Sequence, residues 1–265
     1  MTTDANRDLE LILDAAREAG ELALRLRQGG LSVEWKEGSS PVTNADFATD
    51  ALLMHRLQKA RPDYGWLSEE TADSPARLAK RRLFVVDPID GTRAFIKGRP
   101  WWSVSIAVVE DDQPIAGVVV APQVEEAYAA VAGVGAWRNG EPIRASSTQA
   151  LEGCGMVGDA RMFTHPAWPR PWPQMRVEAR SSTAYRMCLV AAGEFDAALA
   201  LLTKSDWDLA AGDLIAREAG AYAGDHLGRR FAYNGAIPAQ HSLVCATPGL
   251  APLILDRVQH IAIQD

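Results

Sequence analysis

The residues best suited to chemistry in this 265-residue chain are carboxylates. In Leu83 to Gly98, LFVVDPIDGTRAFIKG, an apolar run delivers Asp87 at its end, Pro88 is expected to stop the strand, and Asp90-Gly91-Thr92 turns the chain sharply. Two acidic side chains thus leave a rigid strand into one small volume. Like charges about 4 Å apart repel by about 4 kcal/mol at an effective dielectric near ~20, so such a pair persists when a cation or a proton sits between them. D-P and D-G are also ordinary turn dipeptides, and taken alone the motif is equally served by a turn. Three further segments add acids: Leu67-Ser68-Glu69-Glu70, Asp208 in WDLAAGD (Trp207 to Asp213), and Asp46 in SSPVTNAD (Ser39 to Asp46). Each has a local structural explanation, since Asp208 would serve as a helix N-cap and Asp46 as a first-turn acid beside the helix dipole.

Other chemistries find less support. The five histidines, His55, His165, His226, His241 and His260, show no HExxH spacing and read as structural or surface residues. Cys154, Cys188 and Cys245 are odd in number and widely spaced, which fits buried thiols rather than a disulfide framework or zinc site. Ser39, Ser40 and Ser68 lie in no GxSxG elbow and read as loop serines. The N–H groups of Gly91 and Thr92 would offer an anion-binding start if they open a helix carrying Ala94 and Phe95.

The elements that must position these groups follow from apolar periodicity. Leu9, Ile12, Leu13, Ala16, Ala19, Leu22, Ala23 and Leu26 predict one amphipathic helix, with Asp4 as a candidate N-cap and Gly29-Gly30 as its stop. A second is expected from Ala45 to Lys59, with Phe47, Ala51, Leu52 and Leu57 inward and Pro62 beyond its end. Strands follow at Leu83 to Val86, Val104 to Val109, Ile115 to Val120 and Glu126 to Val131, with turns at Asp111-Asp112 and Asn139-Gly140, which is a meandering, largely antiparallel sheet. After Ser146 the spacing predicts helices at Thr183 to Ala192, Leu209 to Ala219 and from Leu250, with strands at Asp196 to Leu202 and Leu243 to Ala246. The small residues of LAAG would let the helix after Asp208 approach another backbone closely. The proline-rich run Pro166 to Pro173, with Trp168 and Trp172, predicts no regular element. Helices grouped before and after sheets give an α+β class.

Composition bounds the rest. With 48% hydrophobic and 23% charged residues the chain is globular. A balance of 27 Lys and Arg against 34 Asp and Glu, net -7, offers no basic field for a nucleic-acid polymer. No apolar run approaches the roughly 20 residues of a membrane span, and the start MTTDANRDLE lacks signal-peptide character, so a cytoplasmic protein without membrane contact is expected.

Together the four acidic segments resemble the inositol monophosphatase superfamily of magnesium-dependent, lithium-sensitive phosphatases. The likeness rests on SEE at Ser68 to Glu70, DPIDGT at Asp87 to Thr92, WDLAAGD, SSTAYRMCLVAAG at Ser181 to Gly193 and the hairpin from Gly135-Ala136-Trp137 to Gly140. It implies a layered αβαβα sandwich forming a single phosphatase unit over 1–265, with 1–145 carrying most metal ligands and 146–265 supplying Asp208 and substrate contacts. It further implies two or three Mg²⁺ ions: one on Glu69, Asp87 and the Ile89 carbonyl, a second on Asp87, Asp90 and Asp208, and a weaker third on Glu69 near Asp46. Hard oxygen donors without His or Cys are what Mg²⁺ requires. Local charge then outweighs the net -7, because the ions cancel or exceed the charge of the four carboxylates. By the same resemblance Thr92, Asp46 and Glu69 handle a metal-activated water, and Gly91, Thr92, Arg93 and Asp208 meet a small phosphorylated substrate. A homodimer is expected by analogy.

The resemblance divides over the ester. Lys36 with SSPVTNAD, LSEE and DGTRAFIKG look like bacterial 3'(2'),5'-bisphosphate nucleotidases, which convert adenosine 3',5'-bisphosphate to AMP and phosphate. DGTRAF is also similar to histidinol-phosphatases, and GAWRNGEPI and STAYRMCLVAAG to inositol-1-monophosphatases, although Leu201 replaces the inositol-contacting glutamate seven residues before Asp208. The nucleotidase reading needs a distal cation, for which Arg93, Lys97, Arg99 and Lys204 are candidates, and a ring wall from Trp101 or Trp102. A catalytically silent metal- or phosphate-binding regulator on the same scaffold is the alternative of another class.

Overall fold

A computed structural model describes residues 4–36, 40–166 and 168–263; Ser39 lies outside them. Helix α1 (Asp4–Gly29) and helix α2 (Asn44–Ala60) flank a hairpin of β1 (Val33–Trp35) and β2 (Pro41–Thr43). A seven-stranded sheet follows in chain order: β3 (Gly65–Ser68), β4 (Arg82–Asp90), β5 (Ser103–Glu110), β6 (Gln113–Ala121), β7 (Glu126–Val131), β8 (Gly135–Arg138) and β9 (Glu141–Pro142), with the short helix α3 (Thr92–Ile96) between β4 and β5. All neighbours are antiparallel except β3 and β4, which run parallel. The expected turns are present, with both central residues at positive φ: Asp111 (47°) and Asp112 (67°), then Asn139 (51°) and Gly140 (85°).

The remaining elements are β10 (Gly155–Val157), α4 (Ala160–Phe163), β11 (Arg176–Glu178), α5 (Thr183–Ala191), β12 (Ala197–Ala200), β13 (Lys204–Ser205), α6 (Asp206–Glu218), β14 (Tyr222–Gly224), β15 (Ala239–Gln240), β16 (Leu243–Ala246) and α7 (Ala251–Val258). They form a second sheet in the order β11-β10-β12-β16-β14 and a two-stranded β13-β15 ribbon. The period-2 alternation of each strand sorts the layers. Phe84 and Val86 pack with Ile12, Ala16 and Leu53 of α1 and α2, whereas Leu83 and Val85 pack with Met187 of α5 and Leu214 of α6. In the second sheet Ala198 and Cys245 share that middle layer, and Leu199 and Val244 face Ile254 of α7. The αβαβα sandwich is therefore present, and the fold is α+β. The small residues of α6 allow this stacking: a Cβ on Gly117 would lie 3.1 Å from the Ala211 Cα, and one on Gly212 would lie 2.9 Å from Met187 Sδ.

Several expectations are revised. Leu57 is buried and Leu52 packs partly buried as expected, but Phe47 is 45% exposed and Ala51 is exposed; α2 turns Asp46, Thr49, Asp50 and Leu53 inward in their place. Pro88 does not end β4, which continues to Asp90 through a bulge, Asp87 pairing with Ser105 and Asp90 with Ser103. The run Pro166 to Pro173 is irregular, as expected, and Trp168 and Trp172 stack edge-on at 5.3 Å. All three cysteines are buried and free. No helix is long and apolar enough to cross a membrane.

Candidate metal centre

The bulge at the end of β4 and the first turn of α6 bring the acids together. Oxygen atoms of Asp87, Asp90 and Asp208 lie within 4.8 Å of one another. Asp208 is not the N-cap of α6; Ser205 holds that position and donates its N–H to Asp208 Oδ2 at 3.0 Å. Asp87 Oδ1 accepts the Ile89 N–H at 3.0 Å, and Asp90 Oδ2 accepts both the Ser182 hydroxyl at 2.6 Å and the Ala184 N–H at 2.8 Å. One oxygen of each carboxylate is thus fixed by the chain, and the other accepts no hydrogen bond among the described residues. This is a preorganised trio of hard oxygen donors, the donor chemistry that suits Mg²⁺.

Gly91 makes the approach possible. Its φ is 94°, and a Cβ there would sit 3.1 Å from the Ser182 N and 3.2 Å from the Trp101 O. The turn after Asp90 therefore docks directly on the start of α5. Thr92 opens α3, and its hydroxyl lies 3.3 Å from Asp46 Oδ1 and 3.1 Å from the Ile89 carbonyl, donating to one or the other. Asp46 sits at N3 of α2 in a capping box, its Oδ2 accepting the Thr43 N–H at 2.8 Å and hydroxyl at 2.6 Å. Glu69 follows β3 and lines the same cavity, but stands outside the tight trio, with Lys36 Nζ 3.2 Å from its Oε1; Lys36 also pairs with Glu70 at 2.7 Å.

The electrostatics record the crowding. Burial, then the charges of Glu69, Asp90 and Asp208, hold Asp87 well above its ordinary range. Burial and Asp208 push Asp90 up to about 6, against the pull of Ser182 and Ala184. Burial raises Glu69 to about 7, with Lys36 opposing and Glu70 and Asp208 reinforcing, and burial also raises Asp46 against its Thr43 bonds. Without a cation the site retains protons that carboxylates ordinarily lose.

The cavity over these groups measures about 640 Å³. Gly91, Thr92, Arg93, Arg99, Lys204 and Trp101 line it, whereas Lys97 does not and Trp102 is fully buried against Phe95 in the core. Three arginines that the sequence reading passed over, Arg161, Arg180 and Arg186, also line it. The available signal was a single cation in the otherwise apolar helix TAYRMCLVA.

Comparison with known proteins identifies the family and the fold. The profile of the inositol monophosphatase family matches residues 5–262. A histidinol-phosphatase of Mycobacterium tuberculosis is 35% identical over 247 residues, covering 86% of this chain and 94% of that protein. The 3'(2'),5'-bisphosphate nucleotidase CysQ of Salmonella typhimurium is 33% identical over 233 residues, covering 85% and 94%. Among solved structures, a Thermotoga maritima IMPase superposes with a TM-score of 0.83 at 30% identity, covering 95% of this chain and 96% of that one. The chain belongs to the inositol monophosphatase family, whose members are phosphomonoester hydrolases dependent in general on magnesium.

Proposed function

We propose that the protein hydrolyses the 3'-phosphate of adenosine 3',5'-bisphosphate, releasing AMP and phosphate. The observation that carries the reading is the charge of the cavity wall beyond the carboxylates, where Arg93, Arg99, Arg161, Arg180, Arg186 and Lys204 face one further acid, Asp159. A second phosphate suits such a wall, whereas the ammonium of histidinol phosphate does not, and Trp101 offers the cavity an aromatic surface for a base.

Glu69, Asp87, Asp90, Asp208 and the Ile89 carbonyl would hold two or three Mg²⁺. Bound there, the metal supplies the positive charge that attracts the phosphate and acidifies a water for attack. Asp90 and Asp208 are kept in place by the α5 and α6 starts, so their donor atoms need little reorganisation. Thr92 would accept the proton of the attacking water while donating its own to Asp46, whose other oxygen is already saturated by Thr43. We read the enzyme as a single lithium-sensitive cytoplasmic unit, dimeric by analogy with its family.

The test is kcat/KM for adenosine 3',5'-bisphosphate, histidinol phosphate and inositol 1-phosphate at fixed Mg²⁺. A preference of about a hundredfold for the bisphosphate, roughly 2.7 kcal/mol, is expected. Equal or better turnover of either other ester overturns the reading, and no release from any ester would favour a silent regulator.

A further inference from the structure

Within the cavity, Arg186 combines partial burial with the lack, among the described residues, of an ion-paired acid, whereas Arg93 and Arg99 are exposed. Arg161 is bidentate on Asp159 at 2.7 and 3.1 Å, and Arg180 pairs with Glu178 at 2.8 Å while its guanidinium stacks 4.3 Å over Trp101. Lys204 stands 3.9 Å from Asp208. Arg186, at the end of the first turn of α5, is half-buried and donates its Nε–H to the Arg180 carbonyl at 2.6 Å. Among the described residues no carboxylate lies within ion-pair distance of it, although Asp90, Asp208 and Asp159 all act on its charge from further away. A half-buried guanidinium whose two other nitrogens meet no partner and no counter-ion among the described residues carries a desolvation cost that an anion entering the cavity would offset.

We infer that Arg186, braced by the Trp101-stacked Arg180, is the receptor for a second anionic group, a phosphate monoester, on the leaving portion of the substrate. The inference rests on the bisphosphate reading above and assigns the distal phosphate to a residue of α5 rather than to the loop cations after Thr92. The Nε bond to the Arg180 carbonyl fixes the plane of the guanidinium, so its two remaining nitrogens form a preset fork matched to a phosphate. Arg186 thus acts as a specificity residue, apart from the carboxylates and from the Thr92 and Asp46 pair.

The experiment compares wild type, Arg186→Gln and Arg186→Lys on adenosine 3',5'-bisphosphate and adenosine 3'-monophosphate, which differ only in the distal group. The ratio of kcat/KM between the two esters should fall on the order of thirtyfold in R186Q, with partial recovery in R186K, as expected for a lost charge-assisted bidentate contact. Adenosine 5'-monophosphate, which retains only the distal phosphate, should inhibit wild type competitively, with a Ki at least about tenfold higher in R186Q. An equal loss on both esters, or an unchanged Ki, would overturn the inference, since a structural role or contact with the scissile phosphate does not discriminate between these ligands. If wild type prefers the bisphosphate and R186Q keeps that preference, this inference alone fails; if wild type prefers histidinol phosphate, the substrate reading fails with it.

Discussion

Asp46 and Thr92 show how one residue does two jobs. One oxygen of Asp46 closes the capping box of α2 through Thr43, and the other meets the Thr92 hydroxyl at 3.3 Å. Thr92→Ala removes the hydroxyl without touching the Asp87, Asp90 and Asp208 trio. Its kcat should fall on the order of 10²- to 10³-fold at saturating Mg²⁺, with KM and the Mg²⁺-induced rise in Tm little changed. Loss of the Mg²⁺-induced rise would instead make Thr92 part of the metal site. At this scale the carboxylates were legible because acids cannot cluster without a reason that sequence spacing exposes. Arg186 was not, because its meaning depends on having no ion-paired carboxylate among the described residues, which only the packed cavity reveals.

At the scale of elements, the start of α5 joins helix capping to the metal centre. The Ser182 hydroxyl accepts the Tyr185 N–H at 2.9 Å as an N-cap and donates to Asp90 Oδ2 at 2.6 Å. Ser182→Ala should cost about 1 kcal/mol of stability for the lost cap. It should also weaken Mg²⁺ binding on the order of tenfold, because a ligand oxygen loses its orienting donor. Calorimetric titration with Mg²⁺ checks this, with Ser103→Ala as the comparison, since the Ser103 hydroxyl lies 2.9 Å from that of Ser182 and, among the described residues, makes no hydrogen bond to the Asp90 carboxylate. Unaltered Mg²⁺ affinity in the Ser182 variant would reduce the contact to a helix cap. The sequence foretold α5, α6 and β16 closely, because their apolar runs end at recognisable caps and turns. It misplaced the inner face of α2, whose buried stripe carries Asp46, Thr49 and Asp50 toward the site, so apolar periodicity selected Phe47 wrongly. It also passed over β10, β11 and β14, each of three residues, too short to show a period and held by neighbours distant in sequence.

For the whole molecule, the raised carboxylates tie stability to pH and to metal. Burial and mutual repulsion place Glu69 at about 7 and Asp90 at about 6, and raise Asp87, Asp46 and Glu70 as well, against ordinary values of 3.8 to 4.5. The folded, ion-free protein therefore binds more protons than the unfolded chain across this window. The slope of unfolding free energy with pH is negative there, so ion-free stability from these groups declines as pH rises from about 4 to about 7. Mg²⁺ takes the place of those protons and must compete with them. In a chelator, Tm should consequently drop between about pH 5.5 and about pH 8, while Mg²⁺ at about a hundred times its Kd should restore on the order of 2.7 kcal/mol, or about 5 to 10 °C, at the higher pH and much less at the lower. Scanning fluorimetry with and without Mg²⁺ at the two values measures both arms. An equal Mg²⁺ effect at each pH would mean that protons and metal do not share these carboxylates, and that the repulsion stored among Glu69, Asp87, Asp90 and Asp208 is relieved by some other group of the fold.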